Sequence, residues 1–116
     1  MNKYMILFRL TDPNVVNQLG QTGSNPALTR EQKYDKLIEY LNEKGSYLED
    51  KTTSTILFQS ISTLTKIVSD IKDFCQLSKK DMVLFIEFDR GEGYQDYRIQ
   101  NGEITCHNEI SNWIVS

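Results

Sequence analysis

Three carboxylates raise the question of chemistry in this sequence. Asp12 stands just past an apolar run, and Glu87 and Asp89 lie in the later run FIEFDR. Carboxylate oxygens are the ligands that Mg2+ takes. Residues two apart on a strand share a face, so Glu87 and Asp89 could act together. Arg9, three residues before Asp12, argues the other way, because a guanidinium repels a divalent ion and cannot lose its proton at working pH. If the two apolar runs pair antiparallel, Glu87 and Asp89 belong at the end opposite Asp12. The trio is then not expected to assemble within one copy. Asp12, Glu87 and Asp89 are therefore weak metal candidates, Asp12 is the one weak catalytic candidate, and no cofactor is expected. Simpler tasks are at hand. Asp12 precedes Pro13 and reads as the cap of a turn or short helix. Arg9 is expected to pair with Asp81. Glu87 and Asp89 read as a solvated strand end or as partners of Lys3.

Other constellations are weaker still. Cys106 and the only histidine, His107, are adjacent. Zinc sites space their ligands. Neighbouring strand residues also point to opposite faces, so no Cys–His nucleophile forms. The stretch Arg90-Gly91-Glu92-Gly93 lacks the lysine and following helix of a phosphate loop. Arg9, Lys79, Lys80 and Arg98, with Tyr94 and Tyr97 as stacking surfaces, are the candidates for nucleic-acid contact.

Composition narrows the class. A length of 116 residues fits one domain, 1–116, with a real core. A net charge of −3 lacks the basic excess of a protein that grips phosphate backbones by bulk charge, so nucleic acid is possible but not favoured. Two cysteines and no signal peptide point to free thiols and a cytoplasmic location. The run Tyr4–Leu10 is too short to span a bilayer, so no membrane is expected.

These residues need elements to hold them. Tyr4–Leu10 and Met82–Phe88 are apolar runs of strand length. Between them, Thr29 and Gln32 form a capping-box pattern before Tyr34, Leu37, Ile38 and Leu41, one face of a helix that stops at Gly45. Short strands follow over Tyr47–Glu49 and Thr55–Gln59. A second helix is expected from Ile61 to Phe74, capped by Ser60, with Ile61, Leu64, Val68, Ile71 and Cys75 inward. Asn101-Gly102 is a type I′ hairpin signal within Tyr97–Cys106. The order βαββαβ predicts an α+β, ferredoxin-like sandwich, an antiparallel sheet of order 4-1-3-2 with both helices on one face. Residues 11–28 read as a long polar loop insertion and 94–116 as a C-terminal hairpin extension.

Such a sheet has more apolar surface than two helices can cover. Met5, Leu7, Leu57, Val83 and Phe85 are the expected interface residues, covered by the C-terminal hairpin or, preferably, by a second copy. Asn14, Asn17, Gln21, Ser24 and Asn25 are the expected partner contacts of the polar loop, because loops of that length are usually functional or disordered.

Four segments carry a resemblance: Tyr4–Leu10; Tyr34-Asp35-Lys36-Leu37 with Gly45; Thr53-Ser54-Thr55-Ile56-Leu57; and Asp81-Met82-Val83-Leu84-Phe85. In these the chain is similar to the SinR-like family, itself similar to the small CRISPR-associated endoribonuclease that is the second subunit of the spacer-integration complex. The resemblance spans about Lys3–Arg90 and skips Thr11–Leu28. It implies a dimer with facing sheets and, in nuclease members, a metal-bound aspartate at the end of strand one. Here Phe8-Arg9 occupies that place. The expected function is thus a non-catalytic dimeric interaction module, carried by a phage or mobile element and acting on a host defence protein. The alternatives are a metal-dependent nuclease of the resembling family and a non-catalytic nucleic-acid-binding module.

Overall fold

The structure, a computed structural model, describes residues 2–13, 27–50, 53–88 and 96–107. The elements in chain order are β1 (Asn2–Arg9), α1 (Arg30–Lys44), β2 (Ser46–Asp50), β3 (Thr55–Ser60), α2 (Leu64–Phe74), β4 (Met82–Phe88), β5 (Asp96–Gln100) and β6 (Glu103–His107). They form an α+β structure in which one six-stranded antiparallel sheet has the order β2-β3-β1-β4-β5-β6. No helix among the described residues is long and apolar enough to cross a membrane.

Local chemistry sets the element ends. Thr29 caps α1: its hydroxyl accepts from the Gln32 amide at 3.1 Å, and the Gln32 side chain accepts from the Thr29 amide at 2.9 Å. Asn101 and Gly102 both take positive φ, 55° and 77°, as the two central residues of a type I′ turn must. Gly45 ends α1 as expected, without a left-handed turn. Its φ of 176° is extended, and its small size is what matters: a Cβ there would run into the Gln59 carbonyl of β3.

α2 begins three residues later than expected. Thr63 is its cap, accepting from the Lys66 amide, and Ile61 lies 84% exposed before it. Ser60 cannot cap, because it belongs to β3, opposite Asn2, and its hydroxyl donates to the Lys44 carbonyl at 2.7 Å. The inward face of α1 is also rotated from expectation. Leu37, Leu41, Tyr40 and Lys33 are buried, whereas Tyr34 and Ile38 are only half-buried.

Tyr4, Ile6, Ile56, Phe58, Val83, Phe85 and Ile99 from the sheet meet Leu37, Leu41, Leu64, Ile67, Val68 and Ile71 from the helices. Val83 and Phe85 are thus core residues, 2% and 0% exposed, and not part of the open sheet face where they were expected. The reason is register. Met5 stands opposite Ile86 and Leu7 opposite Leu84, and paired residues share a face. The hairpin β5–β6 does not fold over the open face. It extends the sheet in its own plane beyond β4.

Candidate functional site

The polar end of β1 is built around a buried ion pair. Lys33 comes from the first turn of α1 and Asp81 from the residue before β4; they are 1% and 0% exposed and meet at 2.8 Å. Asp81 accepts five hydrogen bonds. Its Oδ1 takes the Thr11 amide at 2.7 Å and the Thr11 hydroxyl at 2.9 Å. Its Oδ2 takes the Lys33 ammonium at 2.8 Å, the Ser78 amide at 2.6 Å and the Ser78 hydroxyl at 3.1 Å. Lys33 also donates to the Thr11 carbonyl at 2.8 Å. Burial pushes the Asp81 carboxyl up, but the bonds from Lys33, Ser78 and Thr11 outweigh it and hold the group below the usual carboxylate range. Both oxygens are saturated by the chain itself, and the cluster ties together β1, α1 and the turn into β4. Its geometry is that of a staple.

The residues expected at this end are placed otherwise. Asp81 pairs with Lys33 and not with Arg9, which is exposed at the end of β1 opposite Met82. Asp12 accepts from the Arg30 amide at 2.9 Å, so it caps the first turn of α1, eighteen residues on; the turn expected after Pro13 lies outside the described residues. Glu87 is opposite Tyr4, near the far end of β1, and is 6% exposed among core side chains. Asp12 and Glu87 therefore do not converge. No cluster of three or more metal-ligating side chains occurs among the described residues. Asp89, Tyr94, Asn14, Asn17, Gln21, Ser24 and Asn25 lie outside the described residues.

The nucleic-acid candidates divide between surfaces. Arg9, Lys79 and Lys80 are exposed around the end where β1 finishes and β4 starts. Arg98 is on the open face, opposite Leu84, whereas Tyr97 is opposite Phe85 on the helix-bearing side. Tyr97 and Arg98 thus face opposite sides of the sheet. Burial, a hydrogen bond with Cys106 and nearby Glu87 raise the Tyr97 hydroxyl. Burial also pushes the Cys75 thiol up to about 12, which leaves it no nucleophilic thiolate at neutral pH.

The largest unspent feature is the sheet face away from the helices. One row across it reads Leu48, Leu57, Met5, Ile86, and the next holds Leu7 and Leu84, with Met82 at its border. Leu48 is 68% exposed, Leu57 39% and Met82 38%. Met5, Leu7 and Leu57 were legible as face residues from alternation alone; Leu48, Leu84, Ile86 and Met82 were not. Two shallow hollows flank β1 here. One of about 350 Å³ is lined by Leu7, Arg9, Met82, Leu84, Arg98 and Gln100. The other, of about 390 Å³, lies among Lys3, Leu48, Leu57 and Gln59. Such a surface can bury apolar groups, and it offers cations at its margin.

Comparison of the chain with protein-family models, with curated proteins and with solved structures finds no match. The functional reading therefore rests on this geometry.

Proposed function

We propose that the chain is a non-catalytic interaction module that pairs with a second copy of itself through the open face of a ferredoxin-like sheet. The observation that carries this reading is the apolar row Leu48–Leu57–Met5–Ile86 on the face opposite both helices. Burying a large apolar side chain is worth roughly 1.5–3 kcal/mol. Several side chains left half in water on one flat face are a strong drive to find a cover. A second copy meets that need without any other gene product, because a two-fold interface presents the same patch twice. The order β4-β1-β3-β2 for the first four strands, with both helices on one side, supports the ferredoxin-like description; β5 and β6 then form an added hairpin at its edge. A host defence protein as a further partner of the dimer, met by a phage or mobile-element product, belongs to the same proposal through the resemblance alone.

Light scattering on the purified protein tests it. The wild type at high micromolar concentration is expected at twice the chain mass. Leu7→Lys or Leu84→Lys is expected to give monomers that remain folded by circular dichroism. A wild type that stays monomeric there would sink the reading.

A further inference from the structure

The charges on the open face say how the two copies lie on each other, an inference that rests on the dimer proposed above. One row runs continuously across the sheet: Asp50 on β2, Thr55 on β3, Leu7 on β1, Leu84 on β4 and Arg98 on β5. Its uncharged middle, Thr55, Leu7 and Leu84, lies between an acid two strands to one side of β1 and a base two strands to the other, with Thr105 of β6 beyond the base. Strands are about 4.8 Å apart, so both charges sit roughly 10 Å from β1. We propose that the two-fold axis of the dimer runs along β1, between the facing sheets.

That axis exchanges the two sides of β1 and keeps each row over itself. Asp50 of each copy then lies over Arg98 of the other, and the pair forms twice. Leu57 lies over Ile86 of the second copy, and Met5 and Leu7 over themselves, so the apolar rows meet at the centre; Lys3 and Arg9, exposed on the same face of β1, lie over themselves at the two outer ends of the contact, where water and salt screen them. Other axes lose this match. An axis between β1 and β4 sets Arg98 over Thr55, and an axis across the strands sets β2 over β2 and β5 over β5, which leaves each charge facing its own strand.

Arg98 itself points to such a partner. Among the described residues its Nε is buried without a hydrogen-bond partner, and its Nη2 meets Asp96 at a long 3.9 Å. Its side chain is still 32% exposed, over the hollow that also contains Leu7 and Leu84. A carboxylate arriving over the face supplies the acceptor that a guanidinium fork takes in two parallel bonds.

The test is a charge exchange read by dimer dissociation in analytical ultracentrifugation at low salt. Asp50→Arg and Arg98→Asp are each expected to weaken the dimer at least about fivefold, since each sets like charges together twice. The double variant is expected to recover most of the loss. A second measurement does not depend on charge. Met5→Cys in a Cys106→Ser background is expected to cross-link between copies with a short bis-maleimide, because Met5 lies over itself. Leu48→Cys in the same background is expected not to, because the axis puts the two copies of β2 at opposite edges. A dimer unaffected by either charge variant, or one that cross-links through Leu48 and not Met5, overturns this axis while leaving the dimer standing. A monomeric wild type overturns both.

Discussion

Asp81 is the residue on which the polar end of β1 depends. Its five bonds and its place at 0% exposure make it the acceptor for three separate segments. Asp81→Ala would leave the Lys33 ammonium buried with only the Thr11 carbonyl. Removing one partner of a buried pair costs about 3–5 kcal/mol, so this variant is expected to melt far below the wild type. Lys33→Met should cost less, since Ser78 and Thr11 still satisfy the carboxylate. The pH dependence has a definite sign. The folded-state carboxyl lies below the ordinary value, so its stabilisation is present above the unfolded value of about 3.9 and is lost as pH falls through the lower folded value. Melting temperature followed from pH 7 to pH 2 should fall steeply in acid for the wild type and more gently for Asp81→Asn. Equal slopes would show that other carboxylates carry the acid transition. Little of this cluster was legible in the sequence. Lys33 falls four residues before Leu37, on the stripe that α1 buries, and a lysine there reads as an interruption of an apolar face. Only the fold supplies the aspartate 48 residues away that makes its burial possible.

At the scale of elements, turn and cap chemistry was the readable part. The capping box of α1 and the Asn-Gly hairpin need only neighbours in sequence, and both form from the residues expected. Partners distant in sequence were the unreadable part. Ser60 has the right chemistry for a cap, yet its hydroxyl is taken by Lys44 through the pairing of β3 beside α1. The face of β4 was misassigned for a related reason. Alternation says which residues of a strand go together, but only the register says which set goes inward, and a slip of one residue exchanges them. Met5 opposite Ile86 decides it. Gly45 and Gly102 give a contrast that can be measured. Gly102→Ala meets only open space and the Lys79 side chain, so its cost is the left-handed φ, about 1–2 kcal/mol. Gly45→Ala has no φ penalty but drives a methyl into the Gln59 carbonyl of β3. Urea unfolding should show the greater loss for Gly45→Ala, because a backbone atom in a paired strand cannot yield as a side chain can. A milder effect at Gly45 than at Gly102 would mean that the α1–β2 junction shifts freely.

The whole molecule decides whether its carboxylates can cooperate. The α+β class and the excess of apolar surface on one side of the sheet were both readable from composition and alternation. Where the added hairpin goes was not, because an Asn-Gly turn fixes a hairpin's own geometry and says nothing about what it docks against. Here it lengthens the sheet, so among the described residues it leaves the open face uncovered, and the ends of β1 stay apart. Magnesium-dependent strand cleavage needs carboxylate oxygens converging on one ion beside the scissile phosphate. Glu87 is opposite Tyr4, whereas Asp12 is past Arg9, at the other end of the same strand. The five residue steps of strand from Tyr4 to Arg9 already span roughly 17 Å, well beyond the 2.0–2.1 Å reach of a Mg2+ ligand. Asp12 is engaged at the Arg30 amide, and Arg9 adds a positive charge beside it. The purified protein is therefore expected to leave single- and double-stranded RNA and DNA intact with Mg2+ or Mn2+, and its melting temperature should not rise with either ion. Asp12→Ala should lower stability by roughly 0.5–2 kcal/mol, as the loss of a helix cap does, with no change in the nucleic-acid assays. Metal-dependent cleavage by the wild type that disappears in Asp12→Ala would defeat this argument. It would mean that Asp12 leaves α1 and finds its other ligands beyond the residues described.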